Sequence, residues 1–239
     1  MKHTIMSFVI QRFAVVFPAF LVVFTVRGFA RAFVARRMGD DTAYHEGFLS
    51  LNPIVHVDVV MLSFLLFVSL LISGIFEGRV YSSLVYNILI FMGIRWSYRV
   101  PIETRNFKRF KLGTILTTIA GPLGCFSLVL VFLYIARYLP YHLMSDGVVI
   151  SLVSICRETI RSGLWFGVFH LLPIPPLDGG RLLQFMLPPS KQAILSWLET
   201  YFIFILIGLL VLPGVSDVFG AAMWSVCHGV YGLLSKFVF

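Results

Sequence analysis

Long apolar stretches broken by short basic connectors dominate the chain. The first uninterrupted pattern predicts a helix over residues 5–37, apolar through residues 13–26, with Arg36 and Arg37 marking its exit from the apolar region. No small-residue cleavage site follows the apolar run, so it reads as a first span rather than a removed signal. A polar connector over residues 38–57, with Gly-Asp-Asp and Asn-Pro turn signals, leads to a predicted second span at 58–76. The apolar piece at 81–93 is too short for an ordinary crossing. Further spans are predicted at 112–138, 148–172 and 194–212, with a turn at 140–147 between the first two. Residues 218–239 form either a sixth span or a helix lying at the interface.

Composition agrees with a membrane environment. Of 239 residues 59% are hydrophobic and 13% charged, and the mean hydropathy is +0.92, well above an ordinary globular chain. The expected fold class is therefore an all-α polytopic integral membrane protein with five to six transmembrane helices, organised as one membrane domain over residues 1–239. The net charge of +8 resides in short loops, as the positive-inside rule produces, and nucleic acid is excluded as a partner. Arg95, Arg99, Arg105, Lys108, Arg109 and Lys111 form the densest basic loop, which assigns residues 95–111 to the cytoplasmic side. Cys125, Cys156 and Cys227 lie in apolar stretches without metal-ligand spacing and read as small core residues. His142 and His228 are isolated and read as loop and interface residues.

Residues 27–31 read Arg-Gly-Phe-Ala-Arg, followed by Ala32, the basic pair, Gly39-Asp40, Thr42-Ala43, Leu51-Asn52-Pro53, His56 and Asp58. Two further blocks follow: Arg105-Asn106-Phe107 with Ala120-Gly121-Pro122, and residues 169–181, which end in Leu177-Asp178-Gly179. In this order the blocks resemble the site-2 protease family of intramembrane zinc metalloproteases, over about residues 20–212. The resemblance implies a site-2-protease-like core, in which residues 27–31 take the place of His-Glu-x-x-His and Asp178 that of the third zinc ligand. His170 and Cys125 stand where the family usually has Asn.

The substitutions remove the chemistry. Two histidines at i and i+4 share a helix face and offer lone pairs to zinc, while the adjacent Glu serves as base. Arg27 and Arg31 offer only donors and a fixed positive charge, and Gly28 has no side chain at all. No intact catalytic residue and no bound cofactor are expected. The expected function is that of a pseudoprotease that binds transmembrane segments of a partner in the lipid bilayer, with the degenerate site toward the cytoplasmic side. Two alternatives stand beside it. One is an active zinc metalloendopeptidase with a non-standard site built on Asp178 and His170, with His56 or His45 added and Glu46 as base. The other is a small channel or transporter.

The individual residues also carry paired readings. Arg27 and Arg31 either snorkel to headgroups or form a salt bridge to Asp178 that takes over the role of the metal between helices. His170 is either a ligand or a neutral histidine hydrogen-bonded within the bundle. Pro173, Pro175 and Pro176 either form a strip that receives a partner's extended segment, as the resemblance implies, or simply break the helix.

Overall fold

A computed structural model of the chain describes residues 2–56, 100–138, 147–212 and 214–239. Among these residues the regular structure is helical throughout. Helix α1 spans Lys2–Met38, with Pro18 inside and Arg36 and Arg37 in its last turn, where they oppose the negative end of the helix dipole. Gly39 then takes φ +111°, a left-handed conformation that costs glycine least. The Gly39 and Asp40 amides turn back onto the Arg36 and Ala35 carbonyls, which ends the helix cleanly. Two single-turn helices follow, α2 (Thr42–His45) and α3 (Pro53–His56). A 3-10 turn at Thr104–Asn106 precedes α4 (Phe110–Tyr138), which continues through Pro122. Next come α5 (Gly147–His170), the short α6 (Asp178–Met186), α7 (Gln192–Val211) and α8 (Val215–Ser235).

Helices α1, α4 and α5 pack on one another at the centre of the fold. Small residues permit the approach: a Cβ on Gly124 of α4 would lie 2.8 Å from Ala30 Cβ, and one on Gly163 of α5 would lie 2.8 Å from Val129 Cγ2. Phe166 of α5 sets its ring edge-on against Phe20 and Phe24 of α1, with centroids 5.4 and 4.9 Å away. Val23 and Gly163 also meet, so α1 and α5 run in the same direction. On the other flank, Phe202 and Leu206 of α7 and Met223 and Cys227 of α8 join Val129, Leu133, Leu164 and Val168 in a second core. All three cysteines are buried and free.

Three described helical segments, Ala14–Met38, Phe110–Tyr138 and Val215–Ser235, are long and apolar enough to cross a bilayer. The chain is an all-helical membrane protein. Predicted bounds at 5–37, 112–138, 148–172, 194–212 and 218–239 correspond to α1, α4, α5, α7 and α8. The predicted span at 58–76, the short piece at 81–93 and most of the turn at 140–147 lie outside the described residues, as do Arg95, Arg99 and His142. Helix α5 has the length of a span but carries Arg157, Glu158 and Arg161 in its middle, and it is not among the three apolar segments. Helix α6 has no counterpart in the sequence reading, which singles out only Asp178 and the prolines before it in this segment.

Candidate functional site

Arg27 and Arg31 lie one turn apart on α1, where both are buried. They fit there because α4 presents Gly121: a Cβ at that position would come within 3.3 Å of Arg27 Nε and Arg31 Cδ. Arg27 donates through Nη2 to Oδ2 of Asp178, the first residue of α6. The two side chains are each 3% exposed, so the ion pair is shut off from water. Its carboxylate also sits in the first turn of a helix, the end where the dipole favours negative charge.

Two glycines fix Asp178 in place. A Cβ on Gly179 would lie 2.2 Å from the Leu171 carbonyl oxygen, and one on Gly180 would lie 2.2 Å from the Pro175 nitrogen. The start of α6 is therefore pressed backbone to backbone against residues 171–177. Leu177 closes this turn by donating its amide to Ile174 at 2.9 Å. Pro175 is buried beneath Gly180, while Pro173 is exposed.

His170 ends α5 and is 1% exposed. Its Nδ1 donates to the Phe166 carbonyl at 2.9 Å, which leaves the lone pair of a neutral ring on Nε2, an atom with no hydrogen-bond partner among the described residues. Phe166 stacks on the ring and Phe169 meets it edge-on.

Gly28 faces away from this centre, toward His56. A Cβ on Gly28 would lie 2.6 Å from His56 Nδ1 and 2.9 Å from Cε1, so the imidazole fills the volume that a side chain at 28 would need. His56 Nε2 donates to the Ser50 carbonyl at 2.9 Å, and Phe48 packs on the ring. Burial holds the His56 pKa below the usual histidine value despite that bond. His45 and Glu46, by contrast, are exposed at the end of α2. Among the described residues no three His, Cys, Asp or Glu side chains converge.

Beneath the centre a clamp ties the connector to the 100–107 loop. Asp40 is fully buried and accepts from the Thr42 hydroxyl at 2.5 Å, the Glu103 amide at 2.8 Å and the Asn106 side chain at 2.9 Å. Burial alone would raise this carboxyl; the hydrogen bonds outweigh it and hold the pKa below the ordinary value. Gly39-Asp40 with Thr42 and the distant Asn106 belong to two separate sequence blocks, and their common location is this clamp. Beside it, a cavity of about 230 Å³ is lined by Arg31, Thr117, Thr118, Phe107, Arg181 and Phe185. This cavity, α6 and the contact between Gly28 and His56 all escape sequence reasoning, since each depends on how backbones and side chains approach in the fold rather than on a sequence pattern.

No family model matches the chain, and no solved structure matches it. A protein of Bacillus subtilis (strain 168) named putative zinc metalloprotease YwhC is 31% identical over 201 residues, covering 81% of this chain and 78% of that one. With that identity sustained over most of both proteins, the chain belongs to the family of YwhC, whose name is that of a zinc metalloprotease.

Proposed function

We propose that this chain is a pseudoprotease of the site-2 protease type, which keeps the family's helical frame, holds no zinc, and binds a transmembrane or juxtamembrane segment of a partner without cutting it. The observation that carries this reading is the buried ion pair between Arg27 and Asp178. A carboxylate engaged by a guanidinium has no reason to recruit a cation, and a second guanidinium, that of Arg31, is buried beside it. Neither arginine offers a lone pair, and the position of the base is glycine. The residues present do not fit a zinc ion. In this reading the ion pair does the mechanical work of a metal, joining the start of α6 to α1.

The binding role rests on the Pro-rich segment at 173–176, which leaves Pro173 exposed beside the site, and on the 230 Å³ cavity next to Arg31. Arg36 and Arg37 at the end of α1 and Lys108, Arg109 and Lys111 before and within the first turn of α4 support a cytoplasmic orientation of this end in the proposed reading.

The test is elemental analysis of the detergent-purified protein, with Asp178→Ala beside it to separate site binding from adventitious metal. The expected result is folded protein without stoichiometric zinc in either form. Near-stoichiometric zinc that disappears in the variant overturns the proposal. For the binding role, photocrosslinkers at Pro173 and Phe185 are expected to capture a membrane-protein segment, whereas crosslinks to lipid alone contradict it.

A further inference from the structure

Helix α5 carries Arg157 and Arg161 one turn apart, with buried Glu158 between them, in the middle of a helix that otherwise holds no Asp, Glu, Lys or Arg. Their level in the membrane follows from the packing. Phe24 meets Phe166, and α1 and α5 run in the same direction. At 1.5 Å per residue, Phe24 lies about 21 Å from the basic end of α1 at Met38. Going on from Phe166, Arg161 and Arg157 then stand about 28 and 35 Å from that end. The hydrocarbon core is about 30 Å thick, so Arg161 stands just inside and Arg157 just beyond its opposite face, both within a side chain's length of the headgroups. The end of α8 lies there too, because Arg137 near the end of α4 donates to the Val238 carbonyl.

Between α5 and α8 at this level is a cleft of about 320 Å³. Arg157, Arg161 and His228 supply its polar edge, while Leu164, Trp165, Trp224 and Tyr231 are among its apolar walls. Trp224 stacks nearly parallel on His228 and is 62% exposed, so one large flat surface looks outward from α8. Arg161 Nε lies 3.5 Å from Glu158 Oε1. Arg157, Glu158 and Arg161 sum to +1, the complement of one phosphodiester. Arg137 and Lys236 stand toward this end of the bundle as well, and tryptophan and tyrosine beside basic residues are what a headgroup level favours. The volume is that of a small-ligand pocket, too small for a helix about 10 Å across.

We propose that the cleft between α5 and α8 is a binding site for an anionic phospholipid, whose phosphate bridges Arg157 and Arg161 while the top of an acyl chain lies against Leu164, Trp165 and Trp224. Guanidinium groups recognise phosphate through paired, charge-assisted hydrogen bonds. The site is remote from the Arg27–Asp178 centre and stands whether or not that centre holds a partner.

The test compares the delipidated full chain in detergent, titrated with phosphatidylglycerol or with phosphatidylcholine of the same acyl chains, by thermal unfolding. The expected result is a stabilising shift with phosphatidylglycerol that phosphatidylcholine does not match. In Arg157→Gln/Arg161→Gln the half-saturating phosphatidylglycerol concentration should rise by about tenfold or more, since contacts to charged groups are lost. The control Arg36→Gln/Arg37→Gln should keep the wild-type response. Equal shifts with both lipids, an undiminished preference in the double variant, or the same shift from inorganic phosphate alone overturns the proposal. Should the double variant fail to fold, Trp224→Ala is measured instead. Its weaker saturation supports the site and an unchanged titration overturns it.

Discussion

Removing the Asp178 carboxylate is the most direct perturbation of the centre. Asp178→Ala leaves Arg27 buried, with its partner gone and Arg31 close by. Breaking a buried pair from one side costs about 3–5 kcal/mol, because the remaining charge keeps its desolvation penalty. For a chain of this length each kcal/mol moves the midpoint by about 2–4 °C, so the variant should melt about 6–20 °C lower. The mechanism makes a second demand. Replacing both partners by apolar residues of similar size, as in Arg27→Met/Asp178→Leu, removes the stranded charge and should restore at least about half of the loss. The assay is thermal unfolding in one detergent, followed by tryptophan fluorescence, at matched lipid content. An Asp178→Ala midpoint within about 2 °C of wild type, or a double variant no better than the single one, refutes the argument that the pair joins α6 to α1.

Three further outcomes test neighbouring parts. Gly28→Ala should cost about 1–3 kcal/mol, because the new methyl lands 2.6 Å from His56 Nδ1; His56→Ala should absorb most of that cost in a double-mutant cycle, and simple additivity of the two would show that the ring is not the obstacle. Gly179→Ala meets the Leu171 and Leu172 carbonyl oxygens, backbone that cannot rotate aside; it should cost more than about 3 kcal/mol and show as loss of monodisperse protein on size exclusion. Asp40 contributes stability that is complete above the unfolded carboxyl pKa of about 3.9 and is lost as pH falls through its lower folded value. Asp40→Asn should therefore be less stable than wild type at pH 6, with the gap narrowing toward pH 3. A gap independent of pH would assign the effect to packing instead.

The helices were legible wherever apolar runs are long and basic residues punctuate them, as at Arg36-Arg37 before Gly39 or at Lys108 and Arg109 before α4. The prolines at 173, 175 and 176, which cannot continue a helix, set the predicted end at residue 172, two residues past the observed end at His170. What the pattern could not show is how backbones approach. Gly179 and Gly180 lie in the first turn of a helix that no long apolar run announces, and their lack of side chains serves contact with residues 171–177. Gly28 likewise reads as the loss of a carboxylate, and only the fold shows the ring of His56 in that space. At the centre, Arg27, Arg31 and Asp178 were singled out by the resemblance of their blocks to the site-2 protease motifs, but the choice of Arg27 as the donor to Asp178 depends on Gly121 and on the seat of α6. The cleft beside Arg157 and Arg161 is equally invisible in one dimension, because its second wall comes from α8.

On the pseudoprotease reading proposed above, the imidazole over Gly28 has a historical consequence. A position from which a carboxylate has gone is usually thought able to regain it by a single codon change. Here the neighbouring ring occupies the vacated volume and is held there by its bond to Ser50 and by Phe48. A returning glutamate would meet that ring before it met any substrate, and would weaken the protein without yet offering selection an activity to keep. The path back requires His56 to move first, a step with no benefit of its own. On that reading packing acts as a ratchet, turning the loss into a one-way departure.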